Sequence, residues 1–259
     1  MLDKLTHLQG RPVTATDGDI GHVVTAFFDD ESWIIRYLVV DAGGWLSRQE
    51  VLISPYSVVY PLTQDAHLHL TLTRQKVKDS PDIDTQQSVT RQHELAYTDY
   101  YDYPPYWEGS GFWGMGAYPV LPMDWPTPAE IATDQAVRER DIKTADTHLR
   151  SAAKVSGYDI QASDGSIGHV QDFIFDDASW MIRYLVVDTR NWWPGGKKVL
   201  VATHWIDEIV WGTRMVVVNL TREQVKNSPE YDEHAPLTRD YETRLHSAYK
   251  RSSYWDGGS

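Results

Sequence analysis

The stretch GHVVTAFFDDESWIIRYLVVD, residues 21–41, returns later in the chain as GHVQDFIFDDASWMIRYLVVD, residues 168–188. The match extends back to residues 13 and 160 at a constant shift of 147 residues, and it continues at a shift of 148 after one extra residue in the NWWPGGK loop. A repeat period above about 100 residues is typical of tandem domains that each bury a core of their own. The sequence therefore predicts two domains of one fold.

The repeated unit continues beyond its last predicted strand into a tail. Identical positions of this tail in the two copies include Thr90, Arg91, Glu94, Tyr101 and the pair Tyr106-Trp107, which match Thr238, Arg239, Glu242, Tyr249 and Tyr254-Trp255. We place the first unit at residues 1–110 with its barrel at about 5–84, and a connector at 111–147. The second unit follows at 148–259, with its barrel at about 152–232.

Within each unit the pattern is that of short strands. The Asp17-Gly18 pair predicts a tight hairpin turn between two strands, because glycine tolerates the backbone angles such turns need. The run from Tyr37 to Val40 is apolar at successive positions, which indicates a strand covered on both faces. We predict a mainly β fold of two tandem small β-barrels, since closure into a barrel removes exposed strand edges.

Two short helices are predicted to flank each barrel. One covers residues 73–79 and 221–227 and ends before a Ser-Pro pair, because proline disfavours helical geometry in the residue before it. The other begins at Thr90 and Thr238, which are suited to cap a helix. The spacing predicts that one helix face carries His93, Tyr97 and Tyr100 or Tyr101, and that its counterpart carries Tyr241, Leu245 and Ala248 or Tyr249.

Composition narrows the classes of function. The formal net charge of −13 disfavours nucleic acids and anionic lipid surfaces as partners. Because the sequence has no run of about 20 apolar residues and no signal peptide, we expect no membrane insertion and a cytoplasmic location.

Zero cysteines exclude disulfides, thiolate metal sites and a cysteine nucleophile. We expect no enzyme, no catalytic residues and no cofactor, because no nucleophile motif occurs and the histidines at 67, 69, 204 and 234 do not match between the copies.

The combination DGxIGHV, about ten further residues and then WxIRYLVVD, followed by a strand ending in VLI or VLV, resembles the PRC-barrel family. That family includes the cytoplasmic domain of the photosynthetic reaction centre H subunit and the C-terminal domain of the ribosome maturation factor. The resemblance covers residues 5–84 and 152–232, and it is greatest to tandem bacterial members. It implies PRC-like β-barrels that contact other proteins and share no catalytic residues.

The polar candidates have structural interpretations beside functional ones. His22 and His169 lie near acidic residues and are weak candidates for metal binding, and the alternative is a histidine satisfied by hydrogen bonds. Alternation along the strand places Arg36 or Tyr37 across from His22. The acidic turns at 29–31 and 176–177 predict solvated loops rather than calcium sites. We expect Arg36 and Arg183 to pair with turn carboxylates, because an arginine in an apolar strand needs acceptors.

The stretch from residue 97 to 125 is rich in aromatic residues and prolines. Aromatic rings bury large areas and dominate interfaces, so this stretch either binds a partner or covers the chain's own barrels. The candidate interaction residues are Tyr106, Trp107, Phe112, Trp113, Trp125, Tyr254 and Trp255. The next residues, 126–145, predict a capped helix that leads into the second unit.

We expect a non-enzymatic scaffold or protein-interaction module with an unknown protein partner. A second hypothesis is a small-molecule or metal sensor that uses a cleft between the barrels. A third, from the resemblance to the H subunit, is an adaptor in photosynthetic electron transfer. The duplicated surface predicts either a homodimer or the pairing of the two barrels within one chain.

Overall fold

The computed structural model describes residues 1–43, 50–62, 66–81, 89–121, 148–190, 192 and 194–255. The prediction of a mainly β fold is confirmed: the described residues form two sheets with few helices. The chain divides into two compact units. The N-unit comprises His7–Ala153 and Asp177–Met181, and the C-unit comprises Met1–Thr6, Lys154–Asp176 and Ile182–Ser259. The helix predicted at 126–145, within the connector 111–147, lies outside the described residues.

The sheet of the N-unit has the strand order β5-β4-β3-β2-β6, and a short strand, β7, also pairs with β3. Its strands are β2 (Pro12–Ala15), β3 (Gly18–Asp29), β4 (Ile35–Asp41), β5 (Glu50–Ile53), β6 (Leu68–His69) and β7 (Leu149–Ser151). The six residues Ile35 to Val40 of β4 are all buried. This burial confirms that the apolar run marks a strand covered on both faces.

The C-unit repeats this sheet with one further strand, β12. Its order is β11-β10-β9-β8-β13-β12, and β1 also pairs with β9. The strands are β1 (Leu2–Lys4), β8 (Asp159–Ala162), β9 (Gly165–Asp176), β10 (Met181–Asp188), β11 (Lys198–Ala202), β12 (Ile206–Val210) and β13 (Met215–Val218). In both sheets the described pairings form an open path, so closure into a barrel stays a prediction.

Each unit takes one short strand from the other repeat. In the C-unit, β1 pairs with β9 so that Leu2 lies across from Asp176. In the N-unit, β7 pairs with β3 so that Leu149 lies across from Asp29. These two pairings are equivalent under the repeat shift of 147 residues, so the first strand of each repeat completes the sheet that holds the long strand of the other.

A glycine in each long strand lets the neighbouring strand approach closely. A Cβ atom added to Gly21 would lie 1.8 Å from the main-chain oxygen of Asp41, and one added to Gly168 would lie 2.2 Å from that of Asp188. Real Cβ atoms do not make contacts this short. The glycine of the GHV motif is therefore explained by strand packing.

The predicted helices are present with the predicted caps. They are α1 (Arg74–Lys78), α2 (Arg91–Tyr101), α4 (Arg222–Asn227) and α5 (Arg239–Tyr249), and a short helix α3 (Ala152–Val155) follows β7. The hydroxyls of Thr90 and Thr238 accept hydrogen bonds from main-chain amides in the first turns of α2 and α5. The carboxylates of Asp17 and Asp164 accept from the amides of Arg74 and Arg222, each at 2.7 Å, so the turn aspartates also secure the helices that follow the sheets.

The buried face of α2 differs from the predicted one. His93 is exposed, whereas Glu94, Tyr97 and Tyr101 are buried. In α5 the buried set includes Glu242 beside Leu245 and Tyr249. A glutamate was not expected on an inward face, because burying a carboxyl costs free energy unless other groups hydrogen-bond to it. The partners of these two glutamates define the clusters described next.

Candidate functional site: two matched polar clusters

A buried polar cluster joins β4, α2 and the tail of the N-unit, and we call it the N-cluster (Arg36, Tyr37, Arg91, Glu94 and Tyr106). The hydroxyls of Tyr37 and Tyr106 donate to Oε1 of Glu94 at 3.3 and 2.5 Å. Nη1 of Arg91 lies 3.0 Å from Oε2 of the same carboxyl. Three donors from three segments therefore converge on one carboxyl group and fasten the helix and the tail to the sheet.

Burial dominates the electrostatics of the N-cluster. Desolvation raises the pKa of Glu94 from 4.5 to about 7, although Arg91 and the hydroxyl of Tyr106 act in the opposite direction. The pKa values of Tyr37 and Tyr106 are raised as well, first by burial and then by the nearby Glu94. The two tyrosines therefore stay protonated and act as hydrogen-bond donors, and Glu94 titrates near neutral pH.

Arg36 is the most enclosed cation of the N-cluster, with a residue exposure of 3%. Its guanidinium carbon lies 3.8 Å from the centre of the Tyr106 ring and 4.9 Å from that of the Trp113 ring. Nη1 donates to the main-chain oxygen of Phe112 at 2.5 Å, and Nη2 lies 3.6 Å from Asp29. The predicted pairing with a turn carboxylate is confirmed, and the aromatic rings and the Phe112 carbonyl complete the site.

A compact turn at residues 108–116 covers this arginine, and we call it the cap. The amides of Gly111 and Trp113 donate to the main-chain oxygens of Gly114 and Gly116 at 2.7 and 2.8 Å. A Cβ atom at position 111 would lie 2.5 Å from the Gly116 oxygen, so only glycine fits there. Through this turn the chain places the Trp113 ring against Tyr56, with ring centres 5.1 Å apart, while the Tyr56 hydroxyl donates to the Trp113 oxygen.

The C-unit contains the matched C-cluster (Arg183, Tyr184, Arg239, Glu242 and Tyr254). The hydroxyls of Tyr184 and Tyr254 donate to Oε1 of Glu242 at 2.8 and 3.0 Å, and Arg239 lies 3.1 Å from Oε2. Here too, burial and then Glu242 raise the pKa of Tyr254. The matched residues therefore perform the same structural task in both units. In each, an Arg-Tyr pair on the strand and a Tyr-Trp pair in the tail surround the glutamate of the helix.

The two clusters differ in what covers them. In the N-unit, Tyr56 and Tyr106 are 8% and 7% exposed, and the Arg36 side chain is 4% exposed. At the equivalent positions of the C-unit, His204 is exposed, Tyr254 is partly exposed and the Arg183 side chain is 21% exposed. We call Arg183, His204 and Tyr254 the open face. In the N-unit the cap lies over the corresponding three residues.

The contacts of Arg183 agree with this difference. Its guanidinium carbon lies 4.3 Å from the centre of the Tyr254 ring, as Arg36 lies over Tyr106, and its pairing with the turn carboxylate of Asp176 is confirmed at 3.9 Å. Among the described residues, Nε of Arg183 has no hydrogen-bond partner, and the same is true of Nε of Arg36, but Nη1 of Arg36 donates to the Phe112 oxygen. His204 stacks on His246 with ring centres 5.8 Å apart.

The structure distributes the predicted interaction residues between the interior and the surface. Tyr106 and Trp113 are buried, at 7% and 3%, whereas the Phe112 side chain is 49% exposed. Trp107, Tyr254 and Trp255 are partly exposed. Trp107 and Trp255 stack on Arg91 and Arg239, each at 4.0 Å, and Trp125 lies outside the described residues. Most of the aromatic stretch that is described therefore covers its own unit, as one of the two interpretations predicts.

The two repeated histidines are separate from these clusters. His22 lies across from Asp41 and Pro12, not across from Arg36 or Tyr37, because the β3–β4 hairpin pairs Phe28 with Ile35 and so places Tyr37 across from Phe27, at the other end of β3. His22 is exposed, and His169 is partly exposed across from Asp159. Among the described residues, no group of three His, Asp or Glu side chains is placed to hold a metal ion.

The first acidic turn is less solvated than predicted. Asp29 accepts hydrogen bonds from the amides of Glu31 and Ser32 at 3.0 and 2.9 Å. Asp30 is paired with Arg150 of β7 at 2.7 Å, and its side chain is only 10% exposed. Glu31 alone faces the solvent, with 75% exposure. These carboxylates secure the strand that the N-unit receives from the second repeat.

An apolar groove of about 310 Å³ lies elsewhere in the N-unit. Tyr60, Tyr118, Val120 and Trp180 are among its lining residues. The sequence did not indicate this groove, because its lining comes from three segments without a shared motif.

No helix among the described residues combines the length and the apolar character needed to cross a membrane.

Comparison with known proteins agrees with the family resemblance. Residues 149–225 match the family model of the PRC-barrel domain. A relative from Deinococcus radiodurans, an uncharacterised protein, is 35% identical over 92 residues. That match covers 35% of this chain and 32% of the relative. The chain thus contains a PRC-barrel domain in its second repeat, and it matches only about a third of the relative's length.

Proposed function

We propose that the chain is a non-enzymatic protein-interaction module that binds a partner protein at the open face of the C-unit. The observation that carries this proposal is the difference between two otherwise matched clusters. Among the described residues, Arg36, Tyr56 and Tyr106 are buried beneath the chain's own cap, whereas His204 is exposed and Arg183 and Tyr254 are partly exposed. Arginine and aromatic side chains contribute strongly to binding at protein interfaces, so an accessible cluster of them is suited to an interface.

The polar groups of the clusters support a binding function over a catalytic one. Glu94 and Glu242 each accept from two tyrosine hydroxyls and pair with an arginine of their own helix. A general acid or base must reach a substrate atom, and these carboxyls are 3% and 2% exposed. We assign them to the attachment of the tail helices.

A photo-cross-linking experiment on the full chain tests the proposal. Benzoylphenylalanine replaces His204 at the open face in one variant and Thr213, in an exposed turn of the same unit, in another. After irradiation in lysate of the native host, we expect a discrete adduct from position 204 that is absent from position 213. The adduct should also be lost when Arg183→Gln is added.

Two results would contradict the proposal. One is the same set of adducts from both positions, which would indicate nonspecific contact. The other is an adduct from position 204 that persists in the Arg183→Gln background, because the guanidinium would then contribute nothing. An adduct with the mass of two copies of this chain would identify the partner as a second copy.

A further inference from the structure

The cap shows what kind of segment fits over this type of cluster. It places an aromatic ring, that of Trp113, beside Tyr56 and above Arg36, with centre distances of 5.1 and 4.9 Å. The residue before it, Phe112, presents its main-chain oxygen to Arg36 at 2.5 Å. The cap thus uses one ring and one carbonyl to close the face.

The open face retains the groups that these two contacts require. The guanidinium of Arg183 is held over the Tyr254 ring at 4.3 Å, as that of Arg36 is held over Tyr106 at 3.8 Å. His204 occupies the position of Tyr56. Each is the middle residue of a short 3-10 helix, Thr203–Trp205 after β11 and Pro55–Ser57 after β5. An imidazole ring offers an incoming aromatic side chain a stacking surface as a phenol ring does.

We propose, on the basis of the function proposed above, that the open face binds a glycine-rich tight turn of the partner protein. An aromatic side chain of that turn packs against His204 and Tyr254. A main-chain carbonyl of the turn accepts a hydrogen bond from Arg183.

The charge at the face favours a neutral turn over an acidic peptide. Arg183 already has a carboxylate, Asp176, at 3.9 Å, as Arg36 has Asp29 at 3.6 Å. The acceptor added by the cap is a carbonyl, which completes the hydrogen bonds of an arginine whose charge is already balanced. The net charge of −13 on the whole chain further disfavours an acidic ligand.

The requirement for glycine follows from the shape of the cap. At Gly109 and Gly111, an added Cβ atom would lie 2.8 and 2.5 Å from main-chain oxygens of the same turn. Only a turn without side chains at these points can present the carbonyl and the ring of adjacent residues to one face. Partner segments of this class therefore place glycines within a few residues before the aromatic residue.

The test uses the cap sequence itself as the probe. A synthetic peptide with the sequence EGSGFWGMGA, residues 108–117, is titrated into the full chain, and binding is measured by calorimetry and by amide chemical shifts. We expect saturable binding and shift changes around His204 and Tyr254. A peptide in which alanine replaces the tryptophan should bind at least tenfold more weakly, because it lacks the aromatic contact.

Variants of the full chain identify the site. Arg183→Gln and His204→Ala should each weaken binding of the peptide at least tenfold. His204 is exposed, so its replacement does not threaten the fold. Arg244→Gln, which removes an exposed arginine elsewhere on the C-unit, should leave the affinity unchanged.

Three outcomes would overturn the inference: no binding at millimolar peptide, equal binding to the Arg183→Gln variant, or shift changes confined to the N-unit. A failure of the peptide together with a specific adduct from position 204 would refute the turn-binding inference and leave the proposed function standing. If both experiments fail, the open face is not an interface.

Discussion

The titration of Glu94 predicts a specific dependence of stability on pH. The pKa of this carboxyl is about 7 in the folded chain, because burial opposes its ionisation, and the ordinary value of 4.5 applies after unfolding. Between these values the unfolded chain releases the proton while the folded chain retains it. The contribution of Glu94 to the free energy of unfolding therefore falls as the pH rises from 4.5 to about 7 and is constant above that range.

The expected size of the effect follows from the two pKa values. The difference between 4.5 and about 7 corresponds to roughly 3 kcal/mol of unfolding free energy. Glu94→Gln keeps the shape of the protonated side chain and removes the titration. Relative to this variant, the wild type should thus lose about 3 kcal/mol of stability in the N-unit across that pH range, while contributions from other groups cancel in the comparison.

Hydrogen exchange of the buried β4 amides measures the effect within the N-unit, and β10 amides report on the C-unit. The stability difference between the wild type and Glu94→Gln is compared at pH 5 and pH 8. Glu31→Gln, which replaces a carboxyl that is 75% exposed, is the control. Its stability difference from the wild type should be the same at pH 5 and pH 8. If the difference in unfolding free energy between the wild type and Glu94→Gln is the same at both pH values, the reasoning is refuted.

Three further predictions concern the fold. Gly21→Ala should destabilise the N-unit by more than about 2 kcal/mol in urea unfolding, because the new methyl group meets the Asp41 oxygen; an unchanged midpoint would contradict the contact. Asp17→Ala should cost about 1 kcal/mol by removing the acceptor of the Arg74 amide, and thermal unfolding that matches the wild type would exclude this role. Removal of residues 1–4 should accelerate hydrogen exchange near Ile174 more than near Phe27, and equal acceleration would argue against the β1–β9 pairing.

The sequence predicted the elements that depend on local chemistry. The apolar run from Tyr37 to Val40 can be buried only in a strand covered on both sides, and the structure shows that burial. Thr90 and Thr238 precede helices whose first amides need acceptors, so their caps follow from local hydrogen bonding. In these cases the determining interactions lie within a few residues.

The clusters could not be predicted in the same way. Glu94 is buried because Tyr37 and Tyr106, which are 57 and 12 residues away in sequence, supply two hydrogen bonds. Without those partners a glutamate belongs on the exposed side of a helix, and for this reason the predicted face included His93 instead. The useful signal was present in the repeat, since Glu94 and Glu242 match while their neighbours vary, but a match alone does not reveal which groups meet.

Local sequence patterns also could not predict which sheet β1 and β7 would join. The long strands β3 and β9 are so similar in sequence that either could accept the first strand of either repeat. Pairing across a separation of about 120 to 170 residues is decided by the path of the whole chain, which no local pattern encodes.

This arrangement of strands has a consequence for the order in which the protein can fold during synthesis. The N-unit needs β7, at residues 149–151, and the segment Asp177–Met181. A ribosome that has made the first 110 residues has therefore not yet supplied all parts of the first unit, although it has made the whole first repeat. At about 5 to 20 residues per second, several seconds pass before β7 is made, and during this time residues 27–29 at one edge of β3 lack their partner strand. During this time the unpaired edge is exposed to other nascent chains, and the earliest chance of mispairing lies in translation.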